Sequence, residues 1–378
     1  MLNTEKKDTV TSGKPLRIAF IGHKRIPGRE SGIEVALEQI TRLLVKKGHK
    51  VDAYNRAKKG HEKVTDFDGV RIITIPTINN KSLDAPVYSF FAAIRSLFGG
   101  YDVVHYHAEG PCMMLWLNKL FGQRVVVTIH GLDWQRAKWN RLASGIILFG
   151  EKCAAKYADE VIVLSRNVQQ YFQDRYRRRT VYIPNGVCEP TIRDDSYISS
   201  TWGLHKDEYI LFLGRIVPEK GVHYLIDAFK AIKTGKKLVI AGGSSHTDEY
   251  YESLKKRAIG DDRIVFTGFI EGVGLESLYS NAYFYVLPSD VEGMPISLLE
   301  AMSYGNCCLT SNIPECTEVL NGESISFEKS SVGDLQNKII ELLSHQDIVN
   351  DFRSKARERA KGYNWDNVVK MTAKLYCT

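Results

Sequence analysis

The stretch Tyr283–Tyr304, YFYVLPSDVEGMPISLLEAMSY, decides how this chain folds. Tyr283 to Pro288 is apolar and rich in aromatic and branched side chains, which predicts a strand. Ser297 to Tyr304 reads as the opening of a helix. Glu292 therefore sits in a strand-to-helix turn, and Glu300 lies about one helical turn inside the helix. The first amides of a helix lack internal partners, so they suit a phosphate or another anion. A carboxylate in the turn can accept hydrogen bonds from sugar hydroxyls, and the second can do the same for a ribose. The pair points to a sugar-nucleotide site. The competing reading is a helix start that favours acid because of its dipole.

Outward from this stretch, short β-branched runs alternate with helical patterns along the chain. Arg17–Ile21, Lys50–Tyr54, Val70–Ile75, Val103–His107, Val125–Ile129, Glu160–Leu164 and Thr180–Ile183 read as strands. A second set comprises Tyr209–Leu213, Lys237–Ala241, Arg263–Thr267, Ala282–Leu287, Asn306–Thr310 and Ser324–Phe327. Helices intervene at Ile33–Lys47, Tyr224–Ile232 and Asp334–Ser344, the first ended by Gly48. The class is α/β, with two units that each hold a mostly parallel sheet. The expected division is a disordered leader over 1–15, a first domain over 16–190 and a linker over 191–206. A second domain follows over 207–360, and a C-terminal helix over 361–378.

Composition agrees with a two-domain globular chain: 378 residues, 44% hydrophobic and 25% charged. No run of eighteen apolar residues predicts a membrane span, and the N-terminus lacks an apolar signal core. The seven cysteines are scattered without C-x-x-C spacing, so they read as reduced thiols and not as a disulfide or zinc framework. The expected location is the cytoplasm, with peripheral association at the inner face of the plasma membrane as the further expectation. The net charge of +7 is uneven: residues 1–190 carry +12 and residues 191–378 carry −5. Basic residues gather at Lys46–Lys59, Arg136–Arg141 and Arg175–Arg179. Such a half favours an anionic partner, with a membrane surface or a diphosphate-bearing lipid ahead of nucleic acid, for which no motif is present. Solvated helix faces and loop tips are the bland alternative.

In parallel sheets, ligands bind beyond the carboxyl ends of the strands, so the turns after strands carry the candidate chemistry. The first is Gly22–Glu34, GHKRIPGRESGIE, whose glycines miss the G-x-G-x-x-G dinucleotide spacing. It reads as a loop around a phosphate or sugar, or as a plain turn. His130 ends a strand before Gly131, where its imidazole can reach a cleft and share a proton with a hydroxyl. Asp133 either caps the next helix or faces an acceptor. His105 and His107 alternate on one strand face and read as packing or rim residues, with no third ligand at metal spacing. In the second unit Gly214 permits a bend, and Arg215 and Lys220 follow. A guanidinium fork and an ammonium point charge can neutralise a leaving diphosphate.

Taken together, GRIVPEKG at 214–221, YIPNGV at 182–187, FTGFI at 266–270 and EGMPISLLEAM at 292–302 resemble family 4 glycosyltransferases in kind and order. The resemblance covers about 17–375. It implies the GT-B fold, with two facing Rossmann-like domains and a cleft between them. It also implies transfer of a sugar from a nucleotide donor with retention at the anomeric carbon, without a metal or other cofactor. By the same resemblance Arg215 and Lys220 hold the diphosphate, Glu300 takes the ribose, and Glu292 holds the donor sugar with the backbone of Gly293, Met294, Pro295 and Ile296. Phe269 and Ile270 border the base, Gly32 and Gly214 lie near the phosphates, and His130 contacts the transferred sugar. Glu34, Asp133 and Trp134 then face the acceptor, a saccharide or a polyprenyl-diphosphate-linked glycan.

The segments SGIE at 31–34 and HGLDWQRAKW at 130–139 are similar to a polysaccharide-assembly subgroup that includes rhamnosyltransferases. That subgroup commonly lacks the first glutamate of the pair, which this chain keeps. UDP-hexose or UDP-N-acetylhexosamine is therefore the expected donor ahead of dTDP-rhamnose. No carboxylate reads as a covalent nucleophile. Two readings from other classes remain: a nucleotide-sugar epimerase, or a catalytically silent sugar-binding protein.

Overall fold

The β-branched runs fold into two sheets. The computed structural model describes residues 14–28, 31–57, 64–78, 84–135, 139, 141–244, 247–322 and 325–377. Residues 1–13 of the expected leader, and Arg136 to Lys138 of the second basic run, lie outside them.

The first sheet holds β1 (Arg17–Ile21), β2 (Lys50–Arg56), β3 (Asp66–Phe67), β4 (Val70–Ile75), β5 (Val103–His107), β6 (Arg124–Ile129), β7 (Glu160–Val163) and β8 (Val181–Tyr182). Its order is β3-β4-β2-β1-β5-β6-β7-β8. The second holds β9 (Tyr209–Leu213), β10 (Lys237–Ala241), β11 (Ile264–Gly268), β12 (Phe284–Leu287), β13 (Cys308–Ser311) and β14 (Ile325–Phe327), in the order β11-β10-β9-β12-β13-β14. All the pairings are parallel except β3 with β4. Strand β3 is an addition to the sequence reading, because two residues are too few to show a period. Its signal was the dipeptide Asp68-Gly69, whose φ values of 50° and 82° suit a tight hairpin turn.

Crossovers put helices on both faces of each sheet, so the central strands are buried on both sides. Tyr88, Leu115, Ala154 and Phe172 cover one face of the first sheet. The other is covered by Leu37, Ile40 and Leu44 of the helix Gly32–Lys46, joined by Val368, Val369 and Tyr376 of the last helix, Trp365–Cys377. The chain's end is thus built into the first domain's core. Tyr376 bonds His105 Nδ1 at 2.7 Å, and Arg124 donates to the Leu375 carbonyl at 2.8 Å.

The segment 191–206 is not a bare linker. It contains a helix, Ser196–Trp202, and buries Ile198 and Leu204 in the second domain's core. Asn281 Nδ2 fastens its start by donating to the carbonyls of Arg193 and Asp194. Seven residues with three serines do not display a helical period, which is why the sequence hid it.

The parallel part of each sheet reverses its order once, between β1 and β5 and between β9 and β12. Ligand crevices open at such points. At the second, Gly221 has φ of +66°, and a Cβ there would lie 1.9 Å from the Pro288 carbonyl oxygen. The loops after β9 and β12 can approach this closely only because residue 221 has no side chain.

Ser31 caps the Gly32–Lys46 helix by accepting from the Ile33 amide at 3.3 Å. Its hydroxyl donates to Glu34, whose other carboxylate oxygen accepts from the Lys24 amide at 3.1 Å. Replacing Ser31 with alanine is expected to lower stability by about 1 kcal/mol, the usual worth of such a cap. Urea unfolding measures it, and an unchanged midpoint contradicts it.

Candidate functional site

Two loops of the second sheet converge at the β9/β12 crevice, and a third leaves the same sheet at its β11 edge. The first runs from Gly214 to Gly221 after β9 and ends in a 3-10 turn, Pro218–Lys220. The second is Pro288–Pro295 after β12, which leads into the helix Ile296–Ser303. Lys220 Nζ bonds Glu292 Oε1 at 2.5 Å, with the two side chains only 12% and 9% exposed. Ser289 Oγ donates to the same oxygen at 2.6 Å, and Ser311 Oγ anchors the Ser289 carbonyl. The site thus opens on an ion pair that a bound anion can share. Arg215 lies half-buried in the same loop. Glu300 is held from inside the fold, since Tyr279 donates to its Oε2 at 3.1 Å. The third loop, Phe269–Ile270 after β11, leaves Phe269 exposed while Ile270 packs on the second domain's core. The helix at Ile296 starts on Pro295 with no side-chain cap, the condition in which first-turn amides look to a ligand.

The first domain faces these loops. Gly32 sits at a helix start, and a Cβ on it would lie 3.6 Å from Ile296 Cδ1. Gly131 follows β6, and a Cβ on Gly293 would fall 1.5 Å from the His130 carbonyl oxygen. The two backbones meet at a spacing that glycine alone allows. Asn185 ties the domains beside this point by donating through Nδ2 to the Met294 carbonyl at 3.2 Å. Farther out, Arg166 N–H donates to Glu318 at 2.7 Å, and Asn167 donates to Glu315 at 2.9 Å.

The histidines form a buried column. The rings of His105 and His107 stand 4.2 Å apart, and His107 Nδ1 lies 3.0 Å from His130 Nε2. The Nε2 of His130 is therefore used within the protein. Burial pushes His105 down to about 3, His23 to about 4 and His107 well below its ordinary value. All three folded values lie under the unfolded value near 6.5, so the unfolded chain takes up protons first as pH falls. Stability is whole above about pH 7 and drains as pH falls from 6.5 toward about 4, by roughly 1 kcal/mol per histidine over the first unit. Thermal unfolding followed from pH 7.5 to 5 measures it; a flat midpoint contradicts it.

On the acceptor side the residues separate. Glu34 is buried, and its carboxylate is bonded to Ser31 and Lys24, which gives it a structural task at the loop around Gly28. Asp133 and Trp134 form a 3-10 turn with Gln135 after Gly131. Sequence reasoning missed Glu109, just beyond the end of β5. It is fully buried, and its Oε1 accepts from the Asp133 amide at 3.0 Å. Burial, with the charge of Asp133, holds its carboxyl well above the usual range. Its place after a strand end, in HAEGP, was a signal that went unused. Ser289, Tyr279 and Asn185 were also missed as partners, although Asn185 lies in the YIPNGV motif. Among the described residues no cluster of three or more histidine, cysteine, aspartate or glutamate side chains could hold a metal ion.

Two Rossmann-like domains meeting across the ends of their strands, with a cation pair in the second, define a GT-B glycosyltransferase. The model of Glycosyltransferase Family 4 matches residues 31–188, and that of Glycosyl transferases group 1 matches residues 198–359. The chain belongs to this glycosyltransferase family. It is 23% identical to an O-antigen chain mannosyltransferase of Escherichia coli, over 96% of this chain and 98% of the relative. It is 26% identical to the UDP-Gal:alpha-D-GlcNAc-diphosphoundecaprenol alpha-1,3-galactosyltransferase of Escherichia coli, over 82% and 84%. Among solved structures, sucrose-phosphate synthase from Thermosynechococcus elongatus superposes with a TM-score of 0.85 at 23% identity, covering 96% of this chain and 98% of that one. HepE from Anabaena, in complex with UDP and glucose, does so with a TM-score of 0.79 at 17% identity, covering 95% and 98%.

Proposed function

We propose that this protein is a retaining glycosyltransferase that moves a sugar from a nucleoside diphosphate donor to a lipid-linked saccharide in cell-surface polysaccharide assembly. The observation that carries the reading is the buried Lys220–Glu292 pair at the β9/β12 crevice, directly across from Gly131 and His130. In this scheme the diphosphate takes Lys220 and Arg215, while Glu292, relieved of part of its ion pair, turns its oxygens to the donor sugar hydroxyls. Glu300, steadied by Tyr279, accepts from the ribose hydroxyls, and Phe269 with Ile270 borders the base. The acceptor enters past Asp133 and Trp134. The bond from the anomeric carbon to the phosphate oxygen breaks as the acceptor oxygen bonds the same face, and the departing phosphate oxygen takes the acceptor proton. The protein's part is to neutralise the charge that grows on the diphosphate and to fix the approach.

The donor reading is UDP-hexose or UDP-N-acetylhexosamine, in keeping with Glu292. dTDP-rhamnose is the next arm, from the N-terminal motifs, and nucleotide-activated mannose the third, from the mannosyltransferase relative. No metal is assigned. The test is a thermal-shift screen of these donors, followed by nucleoside diphosphate release with and without an undecaprenyl-diphosphate-linked saccharide. Stabilisation by one donor class, with release that depends on acceptor, is the expected result. Binding without release across donors and acceptors would make the protein a silent sugar-binding member.

A further inference from the structure

Nine of the seventeen large apolar side chains that stand exposed among the described residues fall between residues 90 and 157. They belong to one layer. The helices Asp84–Leu97, Leu115–Leu120 and Arg141–Tyr157 pack side by side on the same face of the first sheet. Phe91, Phe98, Leu120, Phe121, Leu142 and Phe149 project from this layer, with Phe98 at 78% and Leu120 at 74% exposure. A scatter of single apolar residues is ordinary on a surface, but a concentration on adjoining helices marks an interaction face.

The charges on the layer name the partner. Arg95, Arg141, Lys152 and Lys156 are exposed there. The acidic residues of the three helices are withdrawn: Glu151 is fully buried and accepts from Tyr171 and Tyr176, and Asp84 pairs with Arg56 at 2.8 Å. Phenylalanine and leucine among cations, without exposed carboxylates, is the pattern of a surface lying in the headgroup region of an anionic bilayer. A two-fold pairing of this face with itself would set cations against cations. Two residues of the other basic runs face away from the layer: Lys47 lies near Asp366 of the last helix, on the opposite face of the sheet, and Arg178 donates to the carbonyls of Ala158 and Asp159. The layer also adjoins the acceptor side, because the Asp133–Gln135 turn packs on the helix Arg141–Tyr157.

We propose that the outer face of these three helices docks the protein on an anionic phospholipid bilayer, so that a lipid-linked acceptor reaches the cleft past Asp133 while its lipid stays in the membrane. This rests on the lipid-linked reading of the acceptor, and it assigns the docking to a face that composition alone did not single out. Flotation of the full chain with vesicles tests it, using phosphatidylcholine alone and phosphatidylcholine mixed with phosphatidylglycerol. The wild type is expected to float with the mixed vesicles at low salt and much less with the neutral ones. The triple variant Phe98→Ser, Phe121→Ser, Phe149→Ser should reduce binding about tenfold or more at any salt. The triple variant Arg141→Gln, Lys152→Gln, Lys156→Gln should reduce it roughly a hundredfold at low salt and remove the salt dependence. Both variants should keep the wild-type unfolding midpoint and the wild-type stabilisation by UDP. Absence of flotation at low salt, or variants that float like the wild type, overturns the proposal. So does a dimer in sedimentation that the phenylalanine variant dissolves while vesicle binding persists. A chain that docks on vesicles yet gains nothing from UDP or any donor keeps the docking face and loses the transferase reading.

Discussion

Replacing Gly293 with alanine is expected to lower turnover about a thousandfold while leaving the unfolding midpoint within a few degrees of the wild type. A Cβ at this position would stand 1.5 Å from the His130 carbonyl oxygen and 2.6 Å from its carbon. Gly293 is not in the left-handed region, so alanine strains no local dihedral there. The clash is between domains, and the chain can relieve it by opening the cleft without unfolding either core. An opening of an ångström or two moves the acceptor side away from the donor carbon, and displacements of that size cost orders of magnitude in rate. UDP affinity should stay close to the wild type, since Arg215, Lys220 and Glu300 all belong to the second domain. Steady-state diphosphate release, calorimetric UDP binding and small-angle scattering separate these effects. Full activity in this variant would show that the close approach of Gly131 and Gly293 is not the reacting arrangement.

Lys220→Ala is expected to reduce turnover at least a hundredfold, about the loss when one stabiliser of developing charge is removed. It should also lower stability, because Glu292 is left nearly buried with the Ser289 hydroxyl beside it and no ammonium. The two effects can be told apart. Adding Glu292→Gln to Lys220→Ala removes the orphaned charge, so the double variant should recover most of the lost stability and none of the turnover. Recovery of turnover would reduce Lys220 to a counter-ion of Glu292 and take the diphosphate away from it.

Much of the fold was legible in the sequence because the signals are local. The spans Arg17–Ile21, Val70–Ile75, Val103–His107, Tyr209–Leu213 and Lys237–Ala241 stand where β-branched runs place them. Turn chemistry and packing decided the remainder. Strand β3 exists because Asp68-Gly69 folds Phe67 back on Val70, and the helix Ser196–Trp202 exists because Ile198 and Leu204 found a core.

The candidate site divides the same way. The strand-end rule marked the loops that carry His130, Arg215, Lys220 and Glu292, for the loop after a parallel strand emerges at the carboxyl edge of the sheet, where ligands bind. It could not foresee that Glu34 would be consumed by Ser31 and Lys24, or that His130 would bond His107 through Nε2. Glu109 escaped because its importance lies in the Asp133 amide, 24 residues away in sequence and 3.0 Å away in space.

By itself the sequence determined two parallel α/β units, the positions of all their strands but β3, and the glutamate and cation motifs of the second unit, because period and turn residues act within a few residues of one another. Only the tertiary structure decided that Lys220 and Glu292, 72 residues apart, share one buried contact, that Gly131 and Gly293 touch across the cleft, and that the exposed phenylalanines of three separate helices form one face. Those outcomes depend on how the cores set whole elements against each other, which no local pattern encodes.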